Sequence, residues 1–201
     1  MKTLLIDTTT KDLIVAIVTD DGVIDLSEHD VGTRHSERLC GAVAELLAKA
    51  NLTFDRLDAY ACSVGPGSFT GIRIGVSTTK GYVVACPKPL IAVNNLQAIA
   101  SSAANGNKQC AFIDAGNGYY YANYADGVAP CLVPYDFAET HPDVPLCALA
   151  SQYMDGLCAI VRNKFDAKQF DDDLVPVYIR RSQAEDNLAK KQTAENGANN
   201  G

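Results

Sequence analysis

The chain has no tryptophan, two methionines and three histidines, and it carries less base than acid: 17 Lys and Arg against 24 Asp and Glu in 201 residues, a formal net charge of −7. An acidic surface repels phosphate backbones, so sequence-independent nucleic-acid binding is not expected of it. The seven cysteines are an odd number without a C-x-x-C pair. That argues against a disulfide framework and a zinc knuckle, and leaves buried free thiols of a reducing compartment. His29, His35 and His141 form neither H-x-x-x-H nor H-E-x-x-H, so no zinc or iron site is expected. No apolar run approaches the roughly 18 residues of a membrane span, and Leu4-Leu5-Ile6 before Asp7 is far short of a signal-peptide core. The expectation is a cytoplasmic protein with no membrane partner.

What the chain does have is a glycine-punctuated turn, Gly65-Pro66-Gly67-Ser68-Phe69-Thr70-Gly71-Ile72-Arg73-Ile74-Gly75. The run before it, Asp58-Ala59-Tyr60-Ala61-Cys62-Ser63-Val64, reads as a strand, and the pattern after it as a helix over 68–85. Ser68 suits the N-cap, and Gly71 and Gly75 fall one helical turn apart. A strand, a glycine turn and a helix N-terminus leave N–H groups aimed at one spot, where an anion or a partner's backbone could sit.

Strands are expected at 3–7, 12–19 and 22–28, the last two joined by the Asp-Gly turn at Asp21-Gly22. Helical period then runs from Thr33 to about Ala50, with Leu39, Val43, Leu46 and Leu47 on one face. A strand at 90–93 and a helix over 95–104 complete a β-β-β-α-β-α-β-α order, the mixed sheet of a ribonuclease-H-like layer. Near Gln109 the pattern restarts: Ala111-Phe112-Ile113-Asp114, Gly118 to Tyr124 and Asp126-Gly127-Val128 echo the opening hairpins. Prolines at 130, 134, 142 and 145 break up the next stretch, where Cys131-Leu132-Val133 and residues 146–149 suit strands. Residues 192–201 hold no apolar group larger than alanine, which reads as a disordered tail.

Asp7 ends the first strand, where it can be a structural Asp that caps the hairpin through its own side chain or a phosphate-site Asp. Thr8-Thr9-Thr10 follows it with hydroxyls but no glycine, and β-branched residues resist wrapping a phosphate. Asp7, Thr8, Thr9, Gly65, Gly67 and Ser68 are therefore the candidate anion- or nucleotide-binding residues. His35 reads as a general base, a metal ligand, or a helix-start histidine bonded to the neighbouring loop, and the last is preferred. Ser68 lies outside the G-x-S-x-G elbow of a hydrolase. The helix over 68–85 is apolar nearly all round with a small-residue face, which suits close packing either on its own sheet or against another helix. The second reading makes Gly71, Ile72, Arg73, Gly75, Val76, Thr79 and Val83, with Leu39 and Val43, an association surface in which Arg73 is a pairing charge.

The turn, the opening Leu4-Leu5-Ile6-Asp7-Thr8-Thr9-Thr10, the element His35-Ser36-Glu37-Arg38-Leu39 and the late Val177-Tyr178-Ile179-Arg180-Arg181 together resemble the TsaB (YeaZ) family, in its order. The resemblance is strong over residues 1–104 and thins beyond. It implies an actin-like α/β fold of two ribonuclease-H-like lobes, 1–104 and a shortened 105–191, before the tail. It implies a non-catalytic subunit for threonylcarbamoyl transfer to adenosine of tRNA: a TsaD-like partner performs the transfer, a TsaE-like ATPase docks on the pair, and tRNA is met only indirectly. The association surface on the helices over 33–50 and 68–85 is expected to pair two copies as a homodimer when the chain is alone. No catalytic residue or intrinsic cofactor follows from the resemblance, and weak ATP or ADP binding stays open. Where the family usually has a basic pair and a glutamate after Asp114, this chain has Ala115-Gly116-Asn117-Gly118. The alternatives are a small-molecule kinase of the actin-like superfamily, a peptidase-like hydrolase, or a self-sufficient homodimeric scaffold.

Overall fold

The computed structural model describes residues 1–102, 110–115, 118–142 and 150–179. Its centre is a five-stranded sheet, β1 (Lys2–Asp7), β2 (Ile14–Thr19), β3 (Val23–Asp25), β4 (Ala59–Gly65) and β5 (Leu90–Asn94), in the order β3-β2-β1-β4-β5. β1 pairs antiparallel with β2, from Lys2 opposite Thr19 to Asp7 opposite Ile14, and parallel with β4, which pairs parallel with β5. The expected strand at 22–28 is cut short after Asp25, although Leu13 and Glu28 still form a bridge.

The central strands are continuous apolar runs because both sheet faces are covered. On one side Leu4, Ile6, Val15, Ile17, Tyr60 and Cys62 pack under α1 (His35–Lys49) and α2 (Phe69–Ala85). On the other, Leu5, Ile14, Val18, Ala61, Ile91 and Val93 pack under α3 (Asn95–Ala100) and α4 (Met154–Asp166). α3 stops at Ala100, short of the expected 104, and residues 103–104 lie outside the described residues.

A second, antiparallel sheet follows: β6 (Cys110–Asp114), β7 (Tyr119–Asn123) and β8 (Val128–Val133), in chain order. Ala111, Ile113, Tyr120 and Ala122 on one of its faces enter the same apolar cluster as α3, α4 and the first sheet. Its other face, Cys110, Phe112 and Tyr121, is covered by Phe137 and Ala138 of a 3-10 helix at Tyr135–Thr140. Among the described residues β8 pairs only with β7, so Pro130 sits on an edge, where the missing N–H costs no ladder bond. The expected strand at 146–149 and the tail at 192–201 lie outside the described residues. Among the described residues no helix is long and apolar enough to cross a membrane.

The chain after α4 turns back along β5. Asp171 donates its N–H to the Leu90 carbonyl and accepts the Ala92 N–H on its carboxylate at 2.8 Å, while Lys164 donates to that carboxylate at 3.1 Å. An edge strand that would otherwise offer unpaired backbone groups is thereby covered.

Candidate functional site

The parallel strands β1, β4 and β5 end together, and ligands of open α/β sheets bind at such carboxyl ends. Asp7 is fully buried there. Its Oδ1 accepts the Thr9 N–H at 2.7 Å and the Thr9 hydroxyl at 2.6 Å, a side-chain turn that caps the start of the loop. Asn95, at the head of α3, donates its amide to the Thr9 hydroxyl. Asp7 Oδ2, Ser63 Oγ and Asn95 Oδ1 are buried without a hydrogen-bond partner. Burial pushes the Asp7 carboxyl above its ordinary range, against the lowering effect of the two Thr9 hydrogen bonds.

The glycine turn stands directly beside this loop, and its occupant is the chain itself. The Ser68 N–H donates to the Thr9 carbonyl at 2.7 Å, and the Gly71 N–H is taken by the Ser68 hydroxyl at 3.2 Å, so Ser68 is the N-cap of α2. A Cβ on Gly67 would stand 2.5 Å from the Thr9 carbonyl oxygen, and one on Gly75 would stand 2.6 Å from the Thr8 hydroxyl. One on Gly71 would overlap the Thr8 carbonyl oxygen. Thr8 itself donates to the Gly71 carbonyl at 2.7 Å. Gly65, at φ +103°, has the left-handed backbone that glycine accepts without strain. Asp7, Thr8, Thr9, Gly65, Gly67 and Ser68 are therefore brought together as expected, but backbone carbonyls fill the space that an anion would need.

The small face of α2 is corrected in the same way. Gly71 and Gly75 point at the loop after β1 and not outward, because their missing side chains let Thr8 approach the helix. Ile72, Val76 and Thr79 are buried with them, as are Leu39 and Val43 of α1, so these seven residues belong to the chain's own core. Of the expected association residues, Arg73 is exposed and Val83 half-buried. The outer face of the two helices is instead made by Ser36, Cys40, Gly41 and Ala44 of α1 and by Arg73, Ser77, Gly81 and Val84 of α2, all exposed. A Cβ on Gly41 or Gly81 would meet nothing within 4 Å.

His35 is buried, with Nε2 3.0 Å from the Asp12 carbonyl oxygen, the helix-start role preferred from sequence. Ser36 and Glu37 beside it are exposed. Among the described residues no group of three or more His, Cys, Asp or Glu side chains could hold a metal ion.

Sequence reasoning missed Ser63, Asn95 and Asp12. Asn95 could have been noticed as a second polar residue closing an apolar strand. Asp12 is fully buried, and its Oδ2 accepts the Ser151 N–H at 3.0 Å and the Ser151 hydroxyl at 2.6 Å, while Oδ1 accepts the Asp30 N–H at 3.1 Å. Although burial pushes the Asp12 carboxyl up, these bonds hold it below the ordinary range.

A family model described as "TsaD: tRNA N6-adenosine threonylcarbamoyltransferase" matches residues 29–129, half of the chain. The chain is 33% identical over 128 residues to the tRNA threonylcarbamoyladenosine biosynthesis protein TsaB of Escherichia coli, covering 62% of this chain and 55% of that protein. It is 34% identical over 100 residues to the TsaB of Haemophilus influenzae, covering 50% and 42%. It is 44% identical over 68 residues to a tRNA N6-adenosine threonylcarbamoyltransferase of Novosphingobium aromaticivorans, covering 34% and 19%. The chain thus spans about half the length of the TsaB proteins it matches. The fold is like that of YeaZ from Pseudomonas aeruginosa, with a TM-score of 0.71 at 22% identity over 88% of this chain and 99% of that one. With the TsaD-type model covering half of its residues and TsaB proteins among its relatives, the chain belongs to the TsaD-like family, in its TsaB (YeaZ) group.

Proposed function

We propose that this protein is a non-catalytic subunit in the synthesis of threonylcarbamoyladenosine on tRNA, held against a TsaD-like partner that performs the transfer. The observation that carries this reading is the Thr9 carbonyl seated on the Ser68 amide. A phosphate loop must keep such N–H groups free for its ligand, and here the chain's own Thr9 carbonyl takes that of Ser68 and the Ser68 hydroxyl that of Gly71. The names of the TsaB relatives supply the pathway. With a net charge of −7, the protein meets tRNA through its partner and not by its own surface.

The outer face of α1 and α2 is the proposed association surface. Small exposed residues at Gly41, Ala44, Ser77 and Gly81 allow a facing helix to approach closely. Alone, the same face pairs two copies about a two-fold axis. The TsaD-like partner, built on the same lobe, replaces one copy, and a TsaE-like ATPase docks on the resulting pair. The test is co-purification with the TsaD-like protein of the same cell, followed by threonylcarbamoyladenosine formation with and without this chain. Product formation that does not depend on this chain, or no complex at all, overturns the reading.

A second reading, nucleotide binding in the manner of a kinase, is favoured by one observation, the buried and unpartnered Asp7 Oδ2. Calorimetric titration with magnesium ATP decides it: saturable binding lost in Asp7→Asn supports it, and no heat sets it aside. The hydrolase reading has less support, because the Ser68 hydroxyl serves as the helix cap.

A further inference from the structure

The exposed cation of α2 is held in place before anything binds it. The Arg73 guanidinium lies 4.0 Å from the centre of the Phe69 ring and 5.8 Å from that of Tyr178. Its Nε donates to the Tyr178 hydroxyl at 3.1 Å, and the two rings stack on each other at 4.4 Å. Tyr178 reaches this position because the chain after α4 is pinned to the sheet: Leu174 is fully buried and the Val177 N–H donates to the Val64 carbonyl at 2.7 Å. A long side chain that would otherwise lose rotamer freedom on binding is already ordered, which is how preorganised arginines gain affinity.

Arg73 opens on a groove of about 440 Å³. The other polar groups that line it among the described residues are the hydroxyls of Ser36, Thr70, Ser77 and Thr78, with no carboxylate among them. Among the described residues no acidic side chain pairs with Arg73. With Nε engaged by Tyr178, the terminal nitrogens remain to fork onto a carboxylate, and the hydroxyls can donate to its outer lone pairs. The surrounding molecule is acidic overall, so this cationic groove selects a local partner against the general repulsion.

We infer that this groove receives an aspartate or glutamate side chain of the TsaD-like partner, with Arg73 as the ion-pairing anchor and Phe69 and Tyr178 as the residues that position it. The inference rests on the proposed function and adds the chemistry by which the partner is recognised.

The experiment uses the full chain and the TsaD-like protein of the same cell. In the Arg73→Lys variant, a carbodiimide should form a zero-length amide between position 73 and an Asp or Glu of the partner, identified by mass spectrometry. Arg73→Glu should weaken the complex at least tenfold and Tyr178→Phe several-fold, both with unchanged melting temperature of the isolated chain. The affinity of the parent should fall more steeply with salt than that of Arg73→Glu. If the complex forms but position 73 links only to Glu185 or Asp186 of its own chain, or links to nothing, this inference falls while the proposed function stands. Equal affinity of parent and Arg73→Glu has the same meaning. Absence of any complex with the parent chain overturns both.

Discussion

The Ser151 hydroxyl donates to the Asp12 carboxylate at 2.6 Å across 139 positions of sequence, joining the 3-10 turn that precedes α4 to the loop between β1 and β2. Together with the Ser151 N–H on the same oxygen and the Asp30 N–H on the other, it satisfies a carboxylate that would be costly to bury alone. The bond therefore fixes how the segment carrying α4 enters the first sheet.

Ser151→Ala is expected to destabilise the fold by about 1–3 kcal/mol, the usual effect of leaving a buried charged acceptor short of a partner. Folding holds the Asp12 carboxyl below its ordinary 3.8, so the stability it supplies is complete above that pH and drains away as pH falls through the lower folded value. Denaturant melts of parent and variant should thus differ most near neutrality and converge in acid. A difference that stays constant down to acid pH would show that Asp12 is not the group involved.

Asp7 has the opposite sign. Its folded-state value is raised above 3.8 by burial, so its contribution is complete below 3.8 and is lost as pH rises through the folded value. Asp7→Asn keeps the oxygen that accepts from Thr9 and brings a donor for Ser63, and it should raise the melting temperature near neutral pH by a few degrees. The gain should shrink as pH falls toward 3.8. Melting curves across that range check it, and a loss of stability at neutral pH would contradict it.

The glycines of α2 should separate by position. Gly71→Ala and Gly75→Ala place a methyl group against Thr8 and should cost about 1–3 kcal/mol as overpacking, without reporting on association. Gly81→Ala enters open space on the outer face and should stabilise the isolated chain by up to about 1 kcal/mol through helix propensity. Gly81→Arg keeps the monomer folded and should weaken the homodimer and the partner complex together, read by sedimentation velocity. Unchanged association would move the interface off this face.

Asp171→Ala removes both the acceptor for the Ala92 N–H and the ion pair with Lys164. A loss of about 1–2 kcal/mol is expected, with faster amide exchange at Ala92. Unaltered protection there would mean that the edge of β5 is covered by something else.

Much of the fold was legible because it obeys local rules. The Asp21-Gly22 turn, the period of α1 and the strand–turn–helix passage through Gly65 and Ser68 are each set by residues within a few positions of one another. The aromatic run Tyr119-Tyr120-Tyr121 marked a strand for the same reason. The candidate site was half legible: Asp7, Thr8, Thr9, Gly67 and Ser68 do meet, but what fills the turn was hidden.

The sequence by itself determined the order of the elements and the helix cap at Ser68, since backbone preference and hydrophobic period act over short spans. Only the tertiary structure decided which way Gly71 and Gly75 face. With Ile72, Ile74, Val76, Tyr82 and Val83 spread around α2, period alone selects no buried side, and the choice is made by Thr8, about sixty residues away in sequence. The same holds for Asp12 with Ser151 and for Arg73 with Tyr178, 139 and 105 positions apart: contacts closed over such loops depend on the packed core that brings both ends together, and no local pattern encodes them.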